Sequence, residues 1–116
     1  MKSLSALLLV AASLAAMSAQ AECVFPKAPA SMPDGKTASP DVMKSAAAEY
    51  KAYNDAVNAY GTCLDDETKT KSDGMSASQV RQLKSIQVKK YNSAVDELQS
   101  KVAAFNEQIK VFKARG

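Results

Sequence analysis

The chain has 116 residues, which suffices for one small domain with a single modest core. Its 15 basic and 12 acidic residues give a net charge of only +3 and alternate along the chain, so the sequence argues against nucleic acid as a partner. Histidine is absent, which removes the commonest metal ligand and proton shuttle. We therefore expect no metal site, no cofactor and no catalytic residues, and we interpret the protein as a non-enzyme.

Residues 1–21 have the pattern of a secretory signal peptide. Lys2 supplies a positive start, residues 4–17 form an apolar run rich in Leu and Ala, and residues 19–21 match an A-x-A cleavage site. The apolar run is shorter than the roughly 20 residues that a membrane span needs. Cleavage would leave Glu22 first and would place the mature protein in the periplasm or outside the cell.

The two cysteines, Cys23 and Cys63, both lie in the part that would be exported. An oxidising compartment favours their pairing, and their spacing excludes the C-x-x-C redox motif and zinc patterns. We expect one intramolecular disulfide, which closes a loop of about 40 residues and contributes about 4 kcal/mol. A bridge between two molecules through Cys23 is the alternative.

Residues 22–39 contain three of the four prolines and predict an extended arm with a turn at Pro33-Asp34-Gly35. The arm is long enough to run back along the following helix and bring Cys23 to Cys63. In that path it would lay Val24 and Phe25 over the seam between the helices.

The first predicted helix covers residues 40 to about 66. Ser39 is a good N-cap, Pro40 suits the first helical position, and Asp41 favours the positive end of the helix dipole. Apolar residues then recur every three or four positions, at Met43, Ala46, Tyr50, Tyr53, Val57, Tyr60 and Leu64. We interpret the three tyrosines as core residues whose hydroxyls reach water, with ligand stacking as the alternative.

The polar segment from Asp65 to Met75 predicts the connection between two helices. Its acidic start, Asp65-Asp66-Glu67, lacks the spaced ligands and glycine of a calcium loop, so we interpret it as a solvated, frayed helix end. Ser76 and Gln79 form a capping box that predicts a second helix over residues 77–113. The apolar seam of this helix is Val80, Leu83, Gln87, Tyr91, Val95, Leu98, Val102, Phe105, Ile109 and Phe112.

These elements predict an all-α fold, in which residues 40–116 form an antiparallel two-helix hairpin and the disulfide ties the arm to the first helix. A turn centred near Lys71 would pair Tyr53 with Tyr91. In that register the first helix stops short of the end of the second. Three apolar side chains, Phe105, Ile109 and Phe112, would then stay uncovered and form an interaction surface for a protein partner or a second copy.

The residues also resemble a family of small exported proteobacterial proteins to which no activity is assigned. The resemblance spans the mature chain and rests on Cys23-Val24-Phe25-Pro26, Pro33-Asp34-Gly35, Met43, Tyr60-Gly61-Thr62-Cys63, Tyr91-Asn92-Ser93-Ala94-Val95-Asp96-Glu97 and Phe105-Asn106. It implies a helical hairpin and an envelope location, and it carries no functional residue.

Two functions follow as hypotheses. The first is a protein-interaction or structural module of the cell envelope, with an unknown partner or a second copy. The second is a peripheral binder of the membrane surface, in which the apolar end of the second helix is flanked by Lys101, Lys110, Lys113 and Arg115.

Overall fold

The computed structural model describes residues 22–116 and consists of two long helices and an extended arm. Helix α1 spans Pro40–Lys71 and helix α2 spans Ala77–Ala114. The helices pack against each other, and the part of the chain from residue 22 onward contains no β-strand. The predicted all-α hairpin with an N-terminal arm is confirmed. The predicted signal peptide lies outside the described residues.

Both helices begin where the capping residues predict. The Ser39 hydroxyl accepts a hydrogen bond from the backbone N–H of Val42 at 3.2 Å. At α2 the Ser76 hydroxyl accepts from the Gln79 backbone at 3.2 Å, and the Gln79 side chain accepts from the Ser76 backbone at 2.9 Å. These bonds satisfy backbone donors that a helix start leaves without partners.

Helix α1 continues five residues past its predicted end. The predicted frayed end at residues 65–67 is wrong, because this stretch is helical and makes side-chain contacts that support the helix. Glu67 forms an ion pair with Lys71 one turn later, and Thr68 is buried against the second helix. The connection is therefore short, and Gly74, with φ of 77°, supplies the left-handed residue in it.

The longer α1 moves the turn toward Gly74 and changes how the helices pair. Tyr91 lies against Gly61, about two helical turns along α1 from Tyr53, the partner that the sequence predicts for it. Further along, Tyr50 stacks on Phe105. The antiparallel orientation is as predicted, and the predicted register is wrong.

The core lies along the inner face of α1. Its buried apolar residues are Met43, Ala46, Tyr50, Tyr53, Val57, Tyr60 and Leu64, all members of the predicted seam. Helix α2 contributes only two fully buried residues, Ala94 and Phe105, and its other seam residues are half-buried. Two helices cannot cover each other completely, so part of the apolar face of the hairpin depends on the arm.

Candidate functional site

The arm lies in a groove of the hairpin and runs antiparallel to α1. Cys23 is bonded to Cys63 with Cα atoms 5.8 Å apart, so the predicted intramolecular disulfide is confirmed. Downstream, the Phe25 ring meets the Tyr60 ring edge-on with centroids 5.5 Å apart. Met32 reaches Tyr50, whose hydroxyl lies 3.8 Å from its sulfur.

The other end of the arm is fixed on α2 through the predicted turn. The backbone N–H of Gly35 donates to the Gln108 side chain at 2.8 Å, and the Gly35 carbonyl accepts from Arg115 at 3.1 Å. A Cβ atom on Gly35 would lie 2.2 Å from the Gln108 carbonyl oxygen, so only glycine allows this approach. The arm is thus held covalently at one end and by backbone contacts at the other.

Two tyrosines beneath the arm, Tyr50 and Tyr53, have a raised pKa. Burial raises the pKa of Tyr50, with a smaller contribution from the negative charge of Glu49. Burial likewise raises the pKa of Tyr53, with smaller contributions from Glu97 and Tyr50. The Tyr53 hydroxyl is buried and has no hydrogen-bond partner among residues 22–116, so the expectation that it reaches water is wrong.

The described part of the arm begins at Glu22, and the surface between the helices continues from there toward the turn of the hairpin. We call this continuation the end groove, a depression of about 210 Å³. It is lined by Leu64, Glu67, Thr68 and Lys71 from α1 and by Leu83, Ile86, Gln87 and Lys90 from α2. Ile86 is 50% exposed, a large fraction for an isoleucine beside a core. In the described structure nothing covers the end groove.

The end groove has an apolar floor and a charged rim. Leu64 is buried, Leu83 is half-buried and Ile86 is exposed, so the apolar surface grades from the core outward. On the rim, Lys71 donates a hydrogen bond to the Glu67 carboxylate, which raises the pKa of Lys71, and the negative charge of Glu22 adds a smaller contribution.

A second depression lies between the two helices on a different side of the hairpin. Its volume is about 310 Å³, and its lining residues are Asn58, Gly61, Thr62, Asp65, Gln87, Val88, Tyr91 and Asn92. The Gln87 amide donates to the Asp65 carboxylate across it. The Tyr91 ring packs on Gly61, where a Cβ atom would come within 2.8 Å of it. This depression is mostly polar, and its central polar groups already bind each other.

The predicted interaction surface at the end of α2 is not exposed. Phe105 is only 5% exposed because α1 reaches it through Tyr50. Ile109 and Phe112 are half-buried and pack against the core, and the backbone of Phe112 lies close to Gly35 of the arm. The prediction that these three side chains stay uncovered is wrong, because it rested on the shorter α1 and the displaced register.

Sequence reasoning missed Ile86 and misplaced Val24. Ile86 lies outside the apolar seam of α2, and an apolar residue off the seam of an amphipathic helix is the signal that could have identified it. Val24, expected to cover the seam, is 84% exposed. The disulfide fixes the backbone at Cys23, and the next side chain along an extended chain points to the opposite side.

Neither a metal site nor a membrane span is evident in the described part of the chain. Residues 22–116 contain no group of three or more His, Cys, Asp or Glu side chains that could hold a metal ion. None of the described helices is long and apolar enough to cross a membrane.

Comparisons with protein-family models, with curated proteins and with solved structures find no match to this chain. Among the described residues, the site consists of an anchored arm and an uncovered apolar groove with a charged rim.

Proposed function

We propose that the protein is an exported, non-enzymatic interaction module of the cell envelope, and that the end groove is where a protein partner docks. The observation that carries this proposal is the exposure of Ile86 above Leu64 and Leu83 in the end groove. The surface between the helices already holds the extended arm of this chain. The end groove beside it is therefore suited to hold an extended segment of another protein.

Export is part of the same proposal. The disulfide suggests an oxidising compartment outside the cytoplasm. The signal-peptide pattern of residues 1–21 and the resemblance to small exported proteobacterial proteins both favour the periplasm or secretion. Sequencing the N-terminus of protein isolated from the envelope tests this step, with Glu22 as the expected first residue. Protein that retains Met1 there would contradict it.

The alternative, a membrane-surface binder that uses the end of α2, loses the surface it needs. Such a helix must present a continuous apolar stripe to the lipid. Phe105 is buried, and Ile109 and Phe112 pack against the core. No observation in the described residues favours this function, and we do not propose it.

A capture experiment with a matched control tests docking in the end groove. Tagged wild-type protein, Ile86→Asp and Val42→Asp are each used to capture proteins from a periplasmic extract. Val42 is 49% exposed in the first turn of α1, far along the chain from the end groove, so it controls for a new charge at an exposed aliphatic position. We expect a protein captured by wild type and Val42→Asp to be lost with Ile86→Asp. Capture that Ile86→Asp leaves unchanged would contradict the proposal.

A further inference from the structure

The arm consists of two parts that are held in different ways. Residues 34–38 form the turn, which is closed by internal backbone hydrogen bonds of 2.8 and 3.1 Å. Gly35 joins this turn to α2 through Gln108 and Arg115. By contrast, no backbone hydrogen bond joins residues 22–33, which we call the strap, to either helix within the described structure. The strap therefore depends on its side-chain contacts and on the disulfide.

The side chains of the strap have a weak hold on α1. Pro26 is buried and Phe25 meets Tyr60 edge-on, but the Phe25 side chain stays well exposed. Farther along, a depression of about 370 Å³ lies between the strap and α1. The Tyr50 hydroxyl reaches the strap at Met32, whose sulfur is a weak acceptor. The covalent bond is thus the strongest attachment of the strap to α1.

The bond that holds the strap joins two cysteines, Cys23 and Cys63, neither of which is fully buried. Such access is a condition for attack by a thiolate from solution. We infer that this bond is a redox latch: a protein dithiol that reduces it releases the strap from α1, while the turn stays on α2 and the hairpin stays folded. In the exchange the dithiol gives up two electrons and two protons and becomes a disulfide, the S–S bond of the latch breaks, and both cysteines become thiols.

Release of the strap uncovers an aromatic surface on α1. Tyr60 is buried with the Phe25 ring against it, and Tyr50 is buried with Met32 at its hydroxyl. The oxidised protein conceals these rings, and the reduced protein presents them to a partner. This device is separate from the end groove, whose lining includes no residue of the strap.

Cleavage by a lysine-specific protease tests the latch, because the arm carries an exposed lysine in each of its two parts. Lys27 lies in the strap and Lys36 in the turn. Wild-type protein is isolated with its disulfide intact, and half of it is reduced with dithiothreitol without denaturant and then desalted. We expect reduction to speed cleavage after Lys27 about tenfold or more and to change cleavage after Lys36 less than about twofold, because proteolysis follows the population of the opened segment. Mass spectrometry measures both rates.

The double variant Cys23→Ser, Cys63→Ser is the matched control for the reductant. It lacks the bond in every sample, so it should be cleaved after Lys27 as fast as reduced wild type, and dithiothreitol should not change that rate. Circular dichroism should show the helix content of oxidised wild type in both the reduced protein and the double variant.

Three results would overturn the inference. The first is a bond that dithiothreitol reduces only after the protein is denatured. The second is a cleavage rate after Lys27 that reduction leaves unchanged. The third is reduced protein that loses its helices, or that is cleaved faster to the same extent after Lys27 and Lys36, because the bond would then hold the whole fold together and not the strap alone.

Discussion

The rings of Tyr50 and Phe105 stack across the hairpin with their centroids 4.7 Å apart and their planes 10° from parallel. Both side chains are buried, at 6% and 5% exposure. The pair sets the register of the hairpin at the end far from the turn. Because α1 meets α2 there, it shields the apolar C-terminal end of α2 from water. It also removes the reason to expect self-association through that end.

Phe105→Ala should lower the free energy of unfolding by about 3–5 kcal/mol, the usual cost of removing a buried phenylalanine ring. Urea denaturation followed by circular dichroism measures the loss. Phe25→Ala is the control, since Phe25 is 41% exposed and should lose much less. Equal losses at the two positions would contradict the central place of Phe105 in the core.

The sequence predicts the elements of this fold better than their pairing. The caps at Ser39 and Ser76 and the apolar seam of α1 are local signals, and the structure confirms them. The register depends on where α1 ends, and that depends on contacts between distant residues, such as Thr68 buried against α2. A polar stretch in sequence resembles a loop whether or not tertiary packing extends the helix through it.

The candidate site was harder to predict for the same reason. Cys23 and Cys63 could be paired from composition and compartment alone. The end groove is lined by residues of both helices that are far apart in the sequence, such as Leu64 and Ile86, so it appears only once the helices are packed. The position of Ile86 off the apolar seam of α2 is a local signal of its exposure, but the sequence does not show which groove it borders.

Breaking the disulfide should destabilise the protein without unfolding its helices. Cys23→Ser or Cys63→Ser is expected to lower the free energy of unfolding by about 2–5 kcal/mol. The double variant should be no less stable than either single variant, because one bond is lost in each case. Thermal denaturation with and without reductant gives the values, and a double variant much worse than both singles would show a separate role for the side chains.

Because Gly61 contacts Tyr91, Gly61→Ala should change the free energy of unfolding in opposite directions in wild type and in the Tyr91→Ala background. In wild type, Gly61→Ala should destabilise by about 1–2 kcal/mol, since its Cβ atom would lie 2.8 Å from the Tyr91 ring and the ring must shift. In the Tyr91→Ala background the same change should stabilise by about 1 kcal/mol, the helix-propensity gain of Ala over Gly. Equilibrium unfolding of the four proteins measures the cycle. The same sign in both backgrounds would show that the two residues do not limit each other.

Tyr53→Phe should leave stability unchanged or raise it by about 1 kcal/mol. The Tyr53 hydroxyl is buried without a hydrogen-bond partner among residues 22–116, and removing such a group ends its desolvation cost. Tyr53→Ala provides the contrast, with an expected loss of about 3–5 kcal/mol because the buried ring itself is removed. Denaturant unfolding distinguishes them, and a clear loss with Tyr53→Phe would mean that the hydroxyl has a partner.

Stability should fall as the pH rises above about 10. Burial raises the pKa of Tyr50 and Tyr53 above the ordinary value of 10.0, so at high pH the unfolded chain releases these protons while the folded chain still holds them. The unfolded state then binds fewer protons, and the free energy of unfolding decreases with pH. Urea midpoints between pH 8 and pH 11 measure the slope for wild type and for the double variant Tyr50→Phe, Tyr53→Phe. The double variant should lose less stability over this range, because phenylalanine does not ionise. Identical slopes would assign the loss to other groups, such as the lysines.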